Sequence, residues 1–251
     1  MKNQDTALSQ VPCLTTAMTG PLQTLEQHLL KHQATIENWL RKQSRKTPPP
    51  VYSSVDLRNA GFKLAPVDTN LFPAGFNNLN PDFWPLCIQA AQATLEHMFP
   101  GCLRILLVPE NHTRNLFYFE SLAVLHTLLL EAGFEVRIGS LRPELTETET
   151  VELPSGRTLQ LEPIIRSGDR IGVRDFSACI VLLNHDLSGG LPDILKDVAQ
   201  PIIPPTALGW FQRTKSVHFT HYQAICHEFA ELIDIDPWLI EPLFRNCQHV
   251  N

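Results

Sequence analysis

Apolar residues change their spacing several times along this chain, and each change marks an element. Between Pro21 and about Gln43, Leu22, Leu25, Leu29, Ile36 and Leu40 recur at three, four and seven residues, with Trp39 beside them. That spacing puts one apolar stripe on a helix. Thr19 suits its cap and Pro21 its first turn. Pro48, Pro49 and Pro50 then end any helix and form a short stiff linker. An organisational boundary is placed there. Residues 1–50 form an N-terminal helix with its linker, 1–18 being aperiodic and frayed, and residues 51–251 form the body.

Val55 and Leu57 alternate with polar neighbours, as in a short strand. From there to residue 80 neither the helical nor the strand period holds. Asn70, Asn77, Asn78 and Asn80 lie among Phe72, Pro73, Gly75 and Phe76, which predicts a long irregular loop. Asn80 before Pro81 reads as the cap and first residue of a helix over about 81–98. Leu103 to Val108 is a continuous apolar run, as in a parallel strand buried on both faces. A helix over 115–132, closed by Gly133, and a strand over Phe134–Ile138 complete a right-handed βαβ unit. Residues 146–175 are more polar and suggest a hairpin turning at Pro154, Ser155 and Gly156. Cys179–Leu183 is a further buried strand, followed by a short helix over 191–198, a strand over 201–203 and a last helix over 220–233. The pattern is that of an α/β fold with a mainly parallel sheet flanked by helices and preceded by an N-terminal helix.

Composition narrows the function. Apolar residues make up 43% and charged residues 18%, so the chain has a core to bury. The net charge of −6 offers no basic excess to neutralise phosphates, which argues against nucleic acid as a partner. No apolar run is long enough to span a membrane, and the N-terminus lacks the apolar middle of a secretion signal. The six cysteines are scattered and form no CxxC pair. They read as reduced thiols of a cytoplasmic protein. Oligomeric state is not legible.

Three groups carry candidate chemistry. In the stretch 58–80, Arg58 suits a substrate carboxylate and Asp68 an ammonium, with Asn59, Asn70, Asn77 and Asn78 as amide donors and acceptors. A rigid loop bonding its own backbone is the competing reading. Asn184, Asp186 and Ser188, with Gly189 and Gly190, follow a buried strand, where ligands bind in open α/β sheets. An ordinary strand-to-helix turn with Asp and Ser caps would use the same residues. Neither a Walker loop nor GxGxxG is present. Arg213, Lys215 and His218 form a cationic group suited to carboxylates or a phosphoryl group, or else a solvated face. Catalytic zinc by this route is not expected: HEFAE at His227 has Glu231 where a zincin needs its second histidine.

The stretch SVDLRNAGFKLAPVDTNLFPAGFNNL, Ser54 to Leu79, resembles the start of the proteobacterial glutamate–cysteine ligases of ATP-grasp type. LNHDLSGG, QPIIPP, GWFQRTKSVHF and IDPWLIEPLF are similar to the same family in the same order, so the resemblance covers roughly residues 50–244. It implies a pre-ATP-grasp, Rossmann-like domain and ATP-dependent joining of the glutamate γ-carboxylate to the cysteine amine through a γ-glutamyl phosphate, the first step of glutathione synthesis. ATP and Mg²⁺ are the implied cofactors, with glutamate, cysteine and ATP as small-molecule partners. It also implies amino-acid recognition by the polar residues of 58–78 and a role for Arg213, Lys215 and His218 at the phosphorylated intermediate. Family members are longer, and no strand lysines or carboxylate cluster for an ATP-grasp stand out here. The expectation is therefore that the ATP-grasp body is missing from this chain. The alternative is a non-catalytic amino-acid-binding module or inactive fragment.

Overall fold

The computed structural model describes residues 19–111 and 115–243. The expected fraying of 1–18 lies outside the described residues. In chain order the elements are α1 (Pro21–Lys31), α2 (Gln33–Lys46), β1 (Ser54–Asn59), β2 (Leu64–Asn70), α3 (Trp84–Met98), β3 (Arg104–Pro109), α4 (Leu116–Glu131), β4 (Glu135–Ser140), β5 (Glu149–Glu152), β6 (Thr158–Pro163), β7 (Ile165–Ser167), β8 (Arg170–Val173), β9 (Phe176–Ser177), β10 (Ile180–Asn184), β11 (Ile202–Ile203) and α5 (Lys215–Ile233). They fall into two compact units that interleave in sequence. One holds Pro50–Tyr52 and Leu71–Phe211. The other holds Ser53–Asn70 together with the flanking stretches 19–49 and 212–243.

The first unit is built on a six-stranded sheet in the order β11-β10-β3-β4-β6-β5. Its strands run parallel except β5, which pairs antiparallel with β6. Strand side chains alternate between two cores. Ile105, Leu107, Val136, Ile138, Ile180 and Leu182 face Leu95 of α3 and Leu122, Leu125 and Leu129 of α4. Leu106, Val108, Val181 and Leu183 face Ile171, Val173 and Phe176 of the small antiparallel sheet β7-β8-β9. This explains the unbroken apolar runs: a strand covered on both faces has no polar side to show. Within this unit α3 and α4 thus lie on one face, whereas a β layer made from the polar excursion covers the other. Only half of that excursion is the expected hairpin, β5–β6.

Local chemistry sets several ends. Asn80 Oδ1 accepts from Asp82 N at 3.0 Å, but it caps a 3-10 turn ahead of α3 and not the α-helix itself. Asn115 Oδ1 caps α4 through Phe117 N. Gly133, with φ 92°, closes α4 as its spacing predicts. The helix expected at 191–198 is a 3-10 turn over Asp193–Leu195.

In the second unit, the helix read as one element to Gln43 is two. His32 takes φ −98° and ψ 11°, and its Nδ1 lies 2.9 Å from His28 O, so the side chain competes for the carbonyl at the break. Leu22 and Leu25 are buried, but Leu40 is exposed. β1 and β2 form an antiparallel hairpin with a bulge after Asp56. The strand β2 was not legible as a strand because Pro66 and Asp68 interrupt its apolar residues. α5 starts at Lys215, five residues earlier than expected. No helix among the described residues is long and apolar enough to cross a membrane.

Candidate functional site

The cationic triplet ahead of the last helix comes together in the second unit. Arg213 approaches α5 from the preceding turn, Lys215 opens the helix and His218 lies one turn along, so their side chains share one end of α5. They meet the end of β2. Arg213 Nη2 donates to Thr69 O at 3.0 Å, and its Nη1 lies 3.3 Å from Thr69 Oγ1 and 3.1 Å from His218 Nδ1. His218 Nε2 lies 2.6 Å from Thr69 Oγ1. Lys215 Nζ lies 3.0 Å from Asp68 Oδ1, which also accepts from Thr69 N at 3.0 Å.

Arg213 and Lys215 stand beside the Asp68 carboxylate, which Lys215 pairs with and which favours the charged form of Arg213. Burial pushes His218 below its usual range and Arg213 adds to this, against Asp68, with His221 lowering it further. The imidazole is therefore held neutral near pH 7. Lys215 and Asp68 are partly exposed, with side-chain exposures of 58% and 38%. The Lys215–Asp68 pair is itself a weak one.

The other expected site residues divide between the units. Arg58 and Asn59 sit at the hairpin turn, where Arg58 pairs with Ala65, while Asp68 lies opposite Asp56. The Arg58 side chain is exposed and makes no hydrogen bond or ion pair among the described residues. Asn59 Oδ1 accepts from Gly61 N at 2.7 Å, an Asx turn that shapes the hairpin. Asn70 ends β2 opposite Ser54, next to Thr69.

Asn77 and Asn78 belong to the first unit, in a 3-10 turn over Phe76–Asn78. Asn77 lines a cavity of about 380 Å³ with Phe76, Trp84 and Arg157. Asn184 is buried, and its amide is already used: Nδ2 donates to Pro73 O at 2.8 Å, and Oδ1 lies 2.9 Å from Tyr118 Oη. Asp186 Oδ1 accepts from Ser188 N at 2.9 Å, and its carbonyl accepts from Trp210 N. These bonds build the turn after β10. The asparagine-rich stretch therefore makes no single cradle within either unit. A separate cavity of about 630 Å³ is lined by Arg137, Glu147, Glu162, Arg174 and Asp175. It gathers none of the expected residues, and Arg137 is committed to Glu162 through two hydrogen bonds.

Thr69 escaped the sequence reading. It is buried and touches both Arg213 and His218. The available signal was its place between Asp68 and Asn70, but a strand threonine is unremarkable until its partners, 144 and 149 residues away, are known.

Fit to nucleotide and metal is a separate matter. Among the described residues no group of three or more His, Cys, Asp or Glu is placed to hold a metal ion. None of the described strands carries a lysine. Mg²⁺ can be held by one or two carboxylates together with nucleotide phosphates, so these observations concern an all-protein metal cage and not ATP.

A family model described as GshA: Glutamate-cysteine ligase matches residues 26–251. A solved crystal structure from Methylobacillus flagellatus KT, provisionally described as a gamma-glutamylcysteine synthetase, superposes with a TM-score of 0.87 at 56% identity over 93% of this chain. The chain spans 55% of the length of that protein. No curated protein matches.

Proposed function

Because this chain belongs to the glutamate–cysteine ligase family, we propose that it serves the ATP-dependent ligation of the glutamate γ-carboxylate to the cysteine amine. The Arg213–Lys215–Thr69 group is its site for the anionic oxygen of the substrate. The observation that carries this is the meeting of Arg213, Lys215 and His218 with Asp68 and Thr69. Two donor-only cations beside a buried hydroxyl suit a carboxylate or phosphoryl group, through charge-assisted hydrogen bonds. Asp68, one residue before Thr69, is the partner for a substrate ammonium.

ATP and Mg²⁺, as the family resemblance implies, would supply activation of the carboxylate. No described residue is assigned to either. The work given to this chain is to bind and orient the acidic substrate, with Lys215 turning from Asp68 towards it. Cytoplasmic residence is part of the proposal. Cys87, Cys102, Cys179 and Cys226 are free thiols, which that compartment keeps reduced, as it does the cysteine substrate.

The second reading is an amino-acid-binding module without turnover. It draws on the same cluster, whose cations and hydroxyl can hold an anion without any chemistry being done on it. Calorimetry with glutamate, together with an assay of γ-glutamylcysteine from ATP, glutamate and cysteine, separates the two. Both readings expect glutamate binding that Arg213→Ala weakens and Arg58→Ala leaves alone. Product formation by the chain supports the ligase, whereas binding without product supports the module. Glutamate binding untouched by Arg213→Ala removes this site from either.

A further inference from the structure

The hydrogen bonds around His218 decide which way every proton in the cluster points. A guanidinium has five N–H donors and no acceptor. Arg213 Nη1, 3.1 Å from His218 Nδ1, must therefore meet a bare nitrogen lone pair. The neutral ring then carries its proton on Nε2, which lies 2.6 Å from Thr69 Oγ1 and donates to it. Arg213 Nη1 donates to the same oxygen from 3.3 Å. Thr69 Oγ1 thus has both lone pairs occupied, and its own proton must be given away. That proton finds no acceptor among the described residues. Asp68, the adjacent carboxylate, accepts from Lys215 and from Thr69 N through its Oδ1.

We infer that Thr69 Oγ1–H is an obligatory donor to an anionic ligand oxygen, and that His218 is the positioning residue that makes it one. The inference rests on the reading of the cluster as the substrate-anion site and adds the residue and the direction of its bond. A hydroxyl usually rotates between donating and accepting. Here Arg213 removes that freedom through the imidazole, so the site is built for an oxygen that only accepts: a carboxylate or a phosphoryl oxygen. Protonating His218 would set an Nδ1–H against an Arg213 N–H and break the relay. Burial and Arg213 both oppose that proton.

Two measurements test this on the whole chain. Nitrogen-15 NMR of the histidine rings reads the tautomer without any ligand: His218 is expected with its proton on Nε2, and a proton on Nδ1 overturns the inference outright. Calorimetry with glutamate and with inorganic phosphate then separates the two oxygen sources in wild type, Thr69→Ser and Thr69→Val. Thr69→Val keeps the β-branched shape and strand preference while deleting the hydroxyl. It is expected to weaken whichever anion binds by roughly tenfold or more, while Thr69→Ser stays within about threefold. Thermal melting confirms that Thr69→Val is folded, and if it is not, Thr69→Ala carries the same comparison. Wild type that binds phosphate but not glutamate, with the Thr69→Val loss, supports this inference and sinks the glutamate reading. Glutamate binding that Thr69→Val leaves unchanged does the reverse. Failure of wild type to bind either anion overturns both.

Discussion

Glu120, on the buried side of α4, accepts from both the backbone N and the Oγ of Ser155, at 2.7 and 2.9 Å. Arg157 Nη2 adds a third bond at 3.0 Å. One carboxylate thereby ties the helix to the turn of the β5–β6 hairpin. Burial opposes its ionisation, but the Ser155 bonds and Arg157 outweigh that and hold it below the usual glutamate range. A lowered carboxyl contributes stability that is present above its unfolded pKa and lost as pH falls through its folded one. Glu120→Gln, which keeps the size but brings a donor to face donors, should cost about 1.5–3 kcal/mol near pH 7. Denaturant melts at pH 7 and in acid check this: the gap between wild type and variant should narrow in acid.

Tyr118 predicts a second loss. Its hydroxyl accepts from Glu110 N at 3.1 Å and donates to Asn184, whose carbonyl lies 2.8 Å away. Burial pushes its pKa well above the usual tyrosine value. Tyr118→Phe leaves buried polar groups at the ends of β3 and β10 without this partner and should destabilise by about 1–3 kcal/mol. Equilibrium unfolding at neutral pH measures it, and a loss under about 0.5 kcal/mol would mean that water replaces the hydroxyl.

Two glycines should respond differently to alanine. A Cβ on Gly139 would lie 2.7 Å from Ile164 Cγ1 and 2.9 Å from Leu106 Cδ1, both side-chain atoms. A Cβ on Gly172 would lie 2.3 Å from the carbonyl oxygen of Phe176, a backbone atom of the paired strand β9. Side chains can shift, so Gly139→Ala should cost about 1–3 kcal/mol. Gly172→Ala has to move a strand and should cost more. Melting temperatures of the two variants rank them, and equal values would show that β9 moves freely.

Lys215→Ala separates a binding role from a structural one. Its ion pair with Asp68 is largely exposed, and such a pair contributes little to folding. Stability should change by no more than about 0.5 kcal/mol, while glutamate affinity falls. A change in stability with no change in affinity would place the lysine in the scaffold alone.

His126 supplies a pH dependence far from the cluster. Burial lowers its pKa, and the contact of Nε2 with Val136 O at 3.3 Å only partly opposes this. The unfolded chain takes up the proton first as pH falls below the usual histidine value near 6.5. This contribution to stability is therefore complete above that value and declines below it, down to the folded pKa. His126→Gln should flatten that part of the stability–pH curve, and an unchanged slope would assign it elsewhere.

The chain's own pattern determined the elements that local physics controls. Leu103–Val108 and Cys179–Leu183 read as strands covered on both faces, and they lie side by side in the parallel sheet. Asn80, Asn115 and Gly133 mark ends because a side-chain acceptor or a free φ acts within a few residues. The Arg213–Lys215–His218 cluster was legible because one helix end holds it together. Tertiary structure alone decided the rest. Pro66 and Asp68 hid β2, which exists because β1 pairs with it. The polar stretch after β6 became a second layer because the sheet's other face needed covering. Asn184, a candidate for ligand binding, was claimed by Pro73 and Tyr118, 111 and 66 residues away. Thr69 acquired its direction from partners no spacing rule reaches. A hydrogen bond between distant residues has no period in sequence, so whether a polar group is spent on the fold or kept for a ligand is settled only when the chain has closed on itself.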